Sequence, residues 1–400
     1  MRVLFIHNYY QQSGGEDNVV AQEMMLLKKY GLDVQLYSVH NDKIKQKGKL
    51  GKAKLAVEAV WSYTEYKKMK NYLMEMRPDV VHVHNFFPLL SPSIYHACQK
   101  LNIPIVQTLH NYRLICPSAM LMRNNQICES CIESSLWSAV KYGCYRDSKV
   151  QTLPVTMMIK FNRVIGTWEN AVDRYIALTN FSKQKFIQGG ISESKIIVKP
   201  NFLMQNLEPV NRNLDEEYIL FVGRISEEKG IRNLLNAWKM IDNKKGTKLY
   251  IIGDGPDKKI LESEQFADDI YFLGKKDSKD VLFYMKNAKY LVVPSIWYEG
   301  FPMTIVEAYS VGTPVLCSEI GSLQEVVING ETGFHFKHDN IEEMSSIIQE
   351  ALNYSEYSNM KENVLDVFRT HYTESVNFNH LMSIYSEVIK EKKNEPKRTI

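Results

Sequence analysis

Short runs of Val, Ile and Leu recur along this chain, and amphipathic stretches of helical period separate them. In the first half the runs lie at 3–6, 34–39, 80–83, 103–109, 175–178 and 196–198. In the second half they lie at 218–222, 248–252, 270–273, 290–293 and 314–317. Continuous apolar strands separated by helices imply parallel sheets covered on both faces. Two such series in 400 residues, too many for one ordinary core, imply two doubly wound α/β domains. The expected division is 1–200 and 201–374, with a linker at 199–217 rich in Asn, Asp and Pro. A last helix at about 375–395 has no strand after it and is expected to return to the first domain.

Composition narrows the setting. No run of about eighteen apolar residues is present, so no transmembrane helix is expected. The N-terminal apolar run is too short for a signal peptide and reads as a first strand, so the protein is expected to stay in the cytoplasm. There, six cysteines are thiols or metal ligands sooner than disulfides. Residues 1–200 carry 26 Lys and Arg against 15 Asp and Glu, while residues 201–400 carry 23 against 31. A basic half joined to an acidic half implies that the two meet different partners.

Glu299 and Glu307 flank a Gly-Phe-Pro turn between the run at 290–294 and a helical pattern at 303–311. That is strand, tight loop, helix. A helix N-terminus offers unpaired N–H groups and partial positive charge, which suits a phosphate. Glu307, inside the helix, can accept two hydrogen bonds from a diol such as a ribose. Earlier, Arg224 leaves the end of a strand and Lys229 opens the next helix. Two fixed cations there suit a diphosphate leaving group, or form ordinary surface charge. Ile-Gly-Asp-Gly-Pro at 252–256 is a strand closing in a turn, with a mostly structural role. The turn before the first helix, expected near Asp17, carries Gly14 and Gly15. They let backbone approach a diphosphate or sugar, or simply make a strand-to-helix turn. His110 ends the run at 103–109, and ligands sit at the carboxyl ends of strands in open α/β sheets. His84 is a second-rank candidate, and His82 is expected to be buried in the sheet.

Taken in order, Val-Gly-Arg, Glu-Lys-Gly, Ile-Gly-Asp-Gly-Pro, Phe-Leu-Gly, Pro-Ser and Glu-Gly-Phe-Pro with a following Glu resemble the family 4 retaining glycosyltransferases. These belong to the glycogen-synthase-like superfamily, here of the bacterial surface-polysaccharide type. The resemblance covers nearly the whole chain. It implies the GT-B fold, two Rossmann-like domains facing across a cleft that closes on the donor. It implies that Arg224 and Lys229 bind the donor diphosphate and that Glu307 holds the ribose. Glu299 and the backbone of Gly300, Phe301, Pro302, Met303 and Thr304 would hold the sugar and phosphate. Gly14 and Gly15 would close over the diphosphate, and His110 would lie near the anomeric carbon. His110, Glu299, Arg224 and Lys229 form the implied catalytic set. The resemblance favours same-face attack with retention. No Asp-x-Asp motif follows a strand, so no catalytic metal is expected. Two other readings remain: a sugar-nucleotide epimerase on the same fold, and an inactive membrane-associated glycan-binding protein. Intact Glu299, Glu307, Arg224 and Lys229 weigh against the last.

Two further features stand outside this pattern. Within a Cys-rich insertion at about 111–148, Cys128-Glu-Ser-Cys131 is flanked by Cys116 and Cys144, a set that suits a structural four-thiolate zinc site. Buried thiols or a redox pair are the alternatives. Residues 43–70 hold nine lysines against Glu58 and Glu65, with Trp61, Tyr63, Tyr66 and the nearby Tyr72 interleaved. Such a segment can rest on an anionic membrane or be a solvated helix face. Together with the resemblance, it gives a cytoplasmic protein, peripheral on the inner face of the plasma membrane. Its expected partners are a nucleotide-sugar donor, a glycan or lipid-linked glycan acceptor, and an anionic membrane surface. Nucleic acid is not expected, since the second half is acidic and no nucleic-acid motif is present.

Overall fold

The computed structural model describes residues 1–11, 14–46, 48–204, 216–264 and 267–394. They form two compact units. The first comprises Met1–Leu121, Cys128–Pro200 and the chain from Asn377 onward, and the second comprises Met122–Ile127 and Asn201–Val376.

The first unit is built on β1 (Arg2–Tyr9), β2 (Asp33–His40), β3 (Val80–Val83) and β4 (Ile105–Thr108). A short hairpin, β5 (Met122–Arg123) and β6 (Gln126–Ile127), falls in the second unit, where Ile127 packs on the core. The first sheet then resumes with β7 (Arg174–Ala177) and β8 (Ile196–Val198). Its order is β2-β1-β3-β4-β7-β8, parallel throughout. Val3, Leu4, Phe5 and Ile6 are all fully buried, as a strand covered on both faces requires.

The second unit contains β9 (Tyr218–Val222), β10 (Lys248–Ile252), β11 (Ile270–Gly274), β12 (Tyr290–Val293), β13 (Val315–Ser318) and β14 (Gly333–Phe336). The order is β11-β10-β9-β12-β13-β14, again all parallel. The helix Ile231–Met240 shows how the sequence sets its face. Ile231, Leu234, Leu235 and Trp238, at i, i+3, i+4 and i+7, are the side chains it buries against the sheet.

The last helix, Glu374–Asn394, puts Leu381, Ile384, Tyr385 and Val388 into the first unit's core beside Val3, Phe5 and Ile176. Tyr385 hydroxyl lies 2.7 Å from His82 Nδ1, so His82 is a sheet residue as anticipated. The linker expectation needs correction at its start. Lys199 is 1% exposed and ion-paired with Glu23 at 2.8 Å, while Phe202, Leu203 and Met204 are buried. These side chains belong to packed structure, and residues 205–215 lie outside the described residues. The strand β14 escaped the sequence pattern because it is a four-residue edge with His335 between two Phe.

Candidate active site

In the second sheet the strand order reverses between β9 and β12, and ligands bind outside the carboxyl ends of strands at such a switch point. Both cationic and acidic motifs fall there. The loops after β9 and β10 are laced by backbone: Gly223 N donates to Ile252 O at 3.0 Å and Ile225 N to Asp254 O at 3.0 Å. A Cβ at Gly253 would meet Gly223 O at 1.8 Å, and one at Gly255 would meet Ile225 O at 2.1 Å. The Gly-Asp-Gly turn is therefore a device for close backbone packing. Gly230 has φ +66° and its Cβ would meet Pro294 O at 1.8 Å, which joins the loops after β9 and β12. Arg224 stands on this scaffold, exposed and without a hydrogen-bond partner among the described residues.

Lys229 ends a short 3-10 turn, Glu227–Lys229. Its Nζ lies 2.7 Å from Glu299 Oε1 and 5.7 Å from the centre of the Trp297 ring. Ser295 Oγ donates to the same Glu299 oxygen at 2.6 Å. Glu299 is 5% exposed, so this pair is a built feature of the loop after β12.

The helix Met303–Ser310 starts beyond Pro302; Ile305 N donates to Pro302 O at 3.1 Å, while the N–H groups of Met303 and Thr304 have no partner inside the helix. Gly300 O accepts from Ser322 Oγ at 3.3 Å. Phe301 packs on the core and Pro302 is buried, so these two offer only backbone to a ligand, while Met303 and Thr304 are partly open. Glu307, one turn in, has no side-chain partner among the described residues. Burial alone pushes its carboxyl up to about 7.

In the first sheet the order reverses between β1 and β3. Gly14 caps the helix Gly15–Lys29, which begins two residues before Asp17, and Asp17 Oδ2 accepts from Gly14 N at 3.1 Å. A Cβ at Gly14 or Gly15 would meet nothing within 4 Å, so neither glycine is demanded by packing. Gln12 and Ser13 lie outside the described residues. Glu16 accepts from Tyr10 hydroxyl at 3.1 Å, and burial pushes its carboxyl up to about 8.

His110 follows β4 and lines a pocket with His84, Gln107, Asn111 and Arg113. Its Nε2 lies 2.9 Å from His84 Nδ1. Burial holds both imidazoles well below their usual range, so both rings are neutral. Spacing gave no sign of the groups behind them: His7, paired with Asp17 at 2.7 Å, and the Glu23–Lys199 pair. Glu23 and Lys199 are 176 residues apart, a separation that no local pattern encodes.

The four cysteines at 116, 128, 131 and 144 all belong to the first unit, and neither they nor the buried Cys98 and Cys317 are joined in a disulfide. The lysine-rich stretch forms the helices Lys49–Val60 and Tyr63–Met76. Its aromatic residues largely pack on one another: Trp61 and Tyr66 stack at 5.9 Å, and Tyr72 meets Tyr37 edge-on at 5.0 Å. What stands out to solvent is mostly aliphatic, with Leu50 89% and Val57 71% exposed beside Tyr63 at 60%. Lys47 lies outside the described residues.

Comparison with known proteins covers both units. The family model for glycosyl transferases group 1 matches residues 205–365, and that for glycosyltransferase family 4 matches residues 13–203. A 42.6 kDa protein in the cps region of Klebsiella pneumoniae is 26% identical over 67% of this chain and 64% of its own length. The chain thus spans about two thirds of the length of that relative. Sucrose-phosphate synthase from Thermosynechococcus elongatus shares the fold with a TM-score of 0.71 at 18% identity, covering 98% of this chain and 99% of its own. Anabaena HepE, solved in complex with UDP-glucose, does so with a TM-score of 0.66 at 16% identity, covering 96% and 100%.

Proposed function

Because the chain belongs to the family 4 glycosyltransferases of GT-B fold, we propose that it transfers a sugar from a nucleotide-sugar donor to a glycan acceptor with retention at the anomeric carbon. The observation that carries this reading is the meeting of Arg224, Lys229, Glu299 and the N-terminus of Met303–Ser310 at the switch point of the second sheet. Each group matches one part of a nucleoside diphosphate sugar. The first-turn N–H groups and Arg224 face developing phosphate charge. Glu307, desolvated and unpartnered, takes the ribose diol. The HepE complex, with UDP-glucose, supports a donor of that class.

The chemistry breaks the bond from the anomeric carbon to the diphosphate oxygen, which keeps the electron pair. The acceptor oxygen forms the new bond on the same face, and its proton passes to the departing diphosphate. Lys229 reaches the diphosphate by exchanging part of its contact with Glu299, which holds the ammonium in place beforehand. Gly14 and Gly15 are assigned to the diphosphate and His110 to the anomeric carbon by resemblance to the family. The open space at both glycines supports that assignment.

The acceptor in this reading is lipid-linked, used in surface-polysaccharide synthesis, and the protein rests on the inner face of the plasma membrane. Leu50 and Val57, exposed among lysines of one helix, support an anionic surface as partner. No described helix is long and apolar enough to cross a membrane.

A nucleotide-sugar panel scored by thermal shift, followed by the anomeric configuration of the product, tests the function. Stabilisation by one donor and a retained configuration are expected. Inversion would overturn the mechanism, and donor conversion with no acceptor present would indicate an epimerase.

A further inference from the structure

The geometry assigns His84 and Glu23 as positioning residues that fix the tautomer of His110, an inference that deepens the proposed role of that histidine. Glu23 Oε1 accepts from Lys199 Nζ at 2.8 Å. Glu23 Oε2 and His84 Nε2 are buried atoms without hydrogen-bond partners, and they face each other at 3.6 Å. A small approach makes Nε2–H of His84 the donor to Glu23. His84 Nδ1 is then bare and accepts from Nε2–H of His110, which leaves His110 Nδ1 as an acceptor. A metal does not explain the cluster, although Glu23, His82 and His84 offer atoms within 4.8 Å of one another. Lys199 already neutralises Glu23, and both nitrogens of His82 are taken, by Tyr385 and Thr108.

Nitrogen-15 NMR of selectively labelled histidines reads the tautomer independently of activity. His110 is expected neutral with its proton on Nε2, and His84→Phe should give a tautomer mixture and a roughly tenfold fall in kcat at unchanged donor KM. A proton on Nδ1 of wild-type His110 would overturn the inference. The expected tautomer together with full turnover in His110→Ala would instead overturn the assigned role of His110.

Discussion

Lys229 Nζ sits 2.7 Å from Glu299 Oε1, so the two residues that sequence alone assigned to separate parts of a donor are one ion pair. Glu299 is 6% and Lys229 26% exposed in their side chains. Lys229→Met should therefore strand a buried carboxylate and cost about 2 kcal/mol of stability. The double variant with Glu299→Gln should recover part of that loss, with a coupling of about 1–3 kcal/mol by chemical denaturation. Additive losses would show that the pair contributes nothing to the fold.

Arg224 makes the contrasting case, since it is exposed and has no partner among the described residues. Arg224→Ala should leave stability within about 0.5 kcal/mol. Turnover should fall about a hundredfold if the guanidinium faces the leaving diphosphate. Steady-state kinetics beside a melting curve separates the two effects.

Glu307 makes donor binding depend on pH. Its carboxyl is raised from 4.5 to about 7, so the folded chain holds this proton more tightly than the unfolded one. Its contribution to stability is full below pH 4.5 and declines as pH rises toward about 7, by up to about 3 kcal/mol. Glu307→Gln should accordingly be more stable than wild type at pH 8 and nearly equal at pH 4. Nucleotide affinity of the wild type should rise from pH 6 to pH 8, as the carboxylate forms and accepts the diol. Calorimetric titration of Glu307→Gln should show weaker binding with a flat profile.

The glycines divide into two kinds. Gly230→Ala and Gly253→Ala place a Cβ 1.8 Å from a carbonyl oxygen, at φ +66° and +152°, and should each lower stability by more than 1 kcal/mol. Gly14→Ala and Gly15→Ala enter open space and should leave the melting temperature unchanged while weakening donor turnover. Unchanged turnover in both would remove that turn from the site.

Leu50 and Val57 offer a test of the membrane reading. Both are exposed, so Leu50→Asp with Val57→Asp should not unfold the helix Lys49–Val60. Binding to anionic vesicles in a sedimentation assay should fall at least about tenfold, from two lost apolar anchors and two added negative charges. Equal binding of the double variant would rule out this face.

Much of the fold was legible because parallel strands buried on both faces must be continuously apolar. The runs at 80–83, 218–222 and 290–293 coincide with β3, β9 and β12. Motifs in the second unit were legible for a related reason: a switch point collects residues that lie just after strands, and those can be found by following strand ends. The Lys229–Glu299 contact was not legible, because it depends on how two loops are held by Gly230 against Pro294. Nor were Glu23 and Lys199, whose meeting is set by tertiary packing of two distant segments. Leu50 and Val57 were overlooked for the opposite reason, since apolar residues in a helix pattern ordinarily signal a core.

The closing helix bears on how the protein comes into being. Leu381, Ile384, Tyr385 and Val388 fill the core under the first sheet, and Tyr385 supplies the hydroxyl beside His82. A ribosome delivers those residues only after both sheets have been made. Residues 1–200 must therefore wait with an open hydrophobic face until residues 201–376 have emerged, while the latter already contain most of their own partners. Birth order and completion order are reversed. A nascent chain halted before Leu381 should expose that face to chaperones, and loss of the final helix should be felt at the opposite end of the sequence.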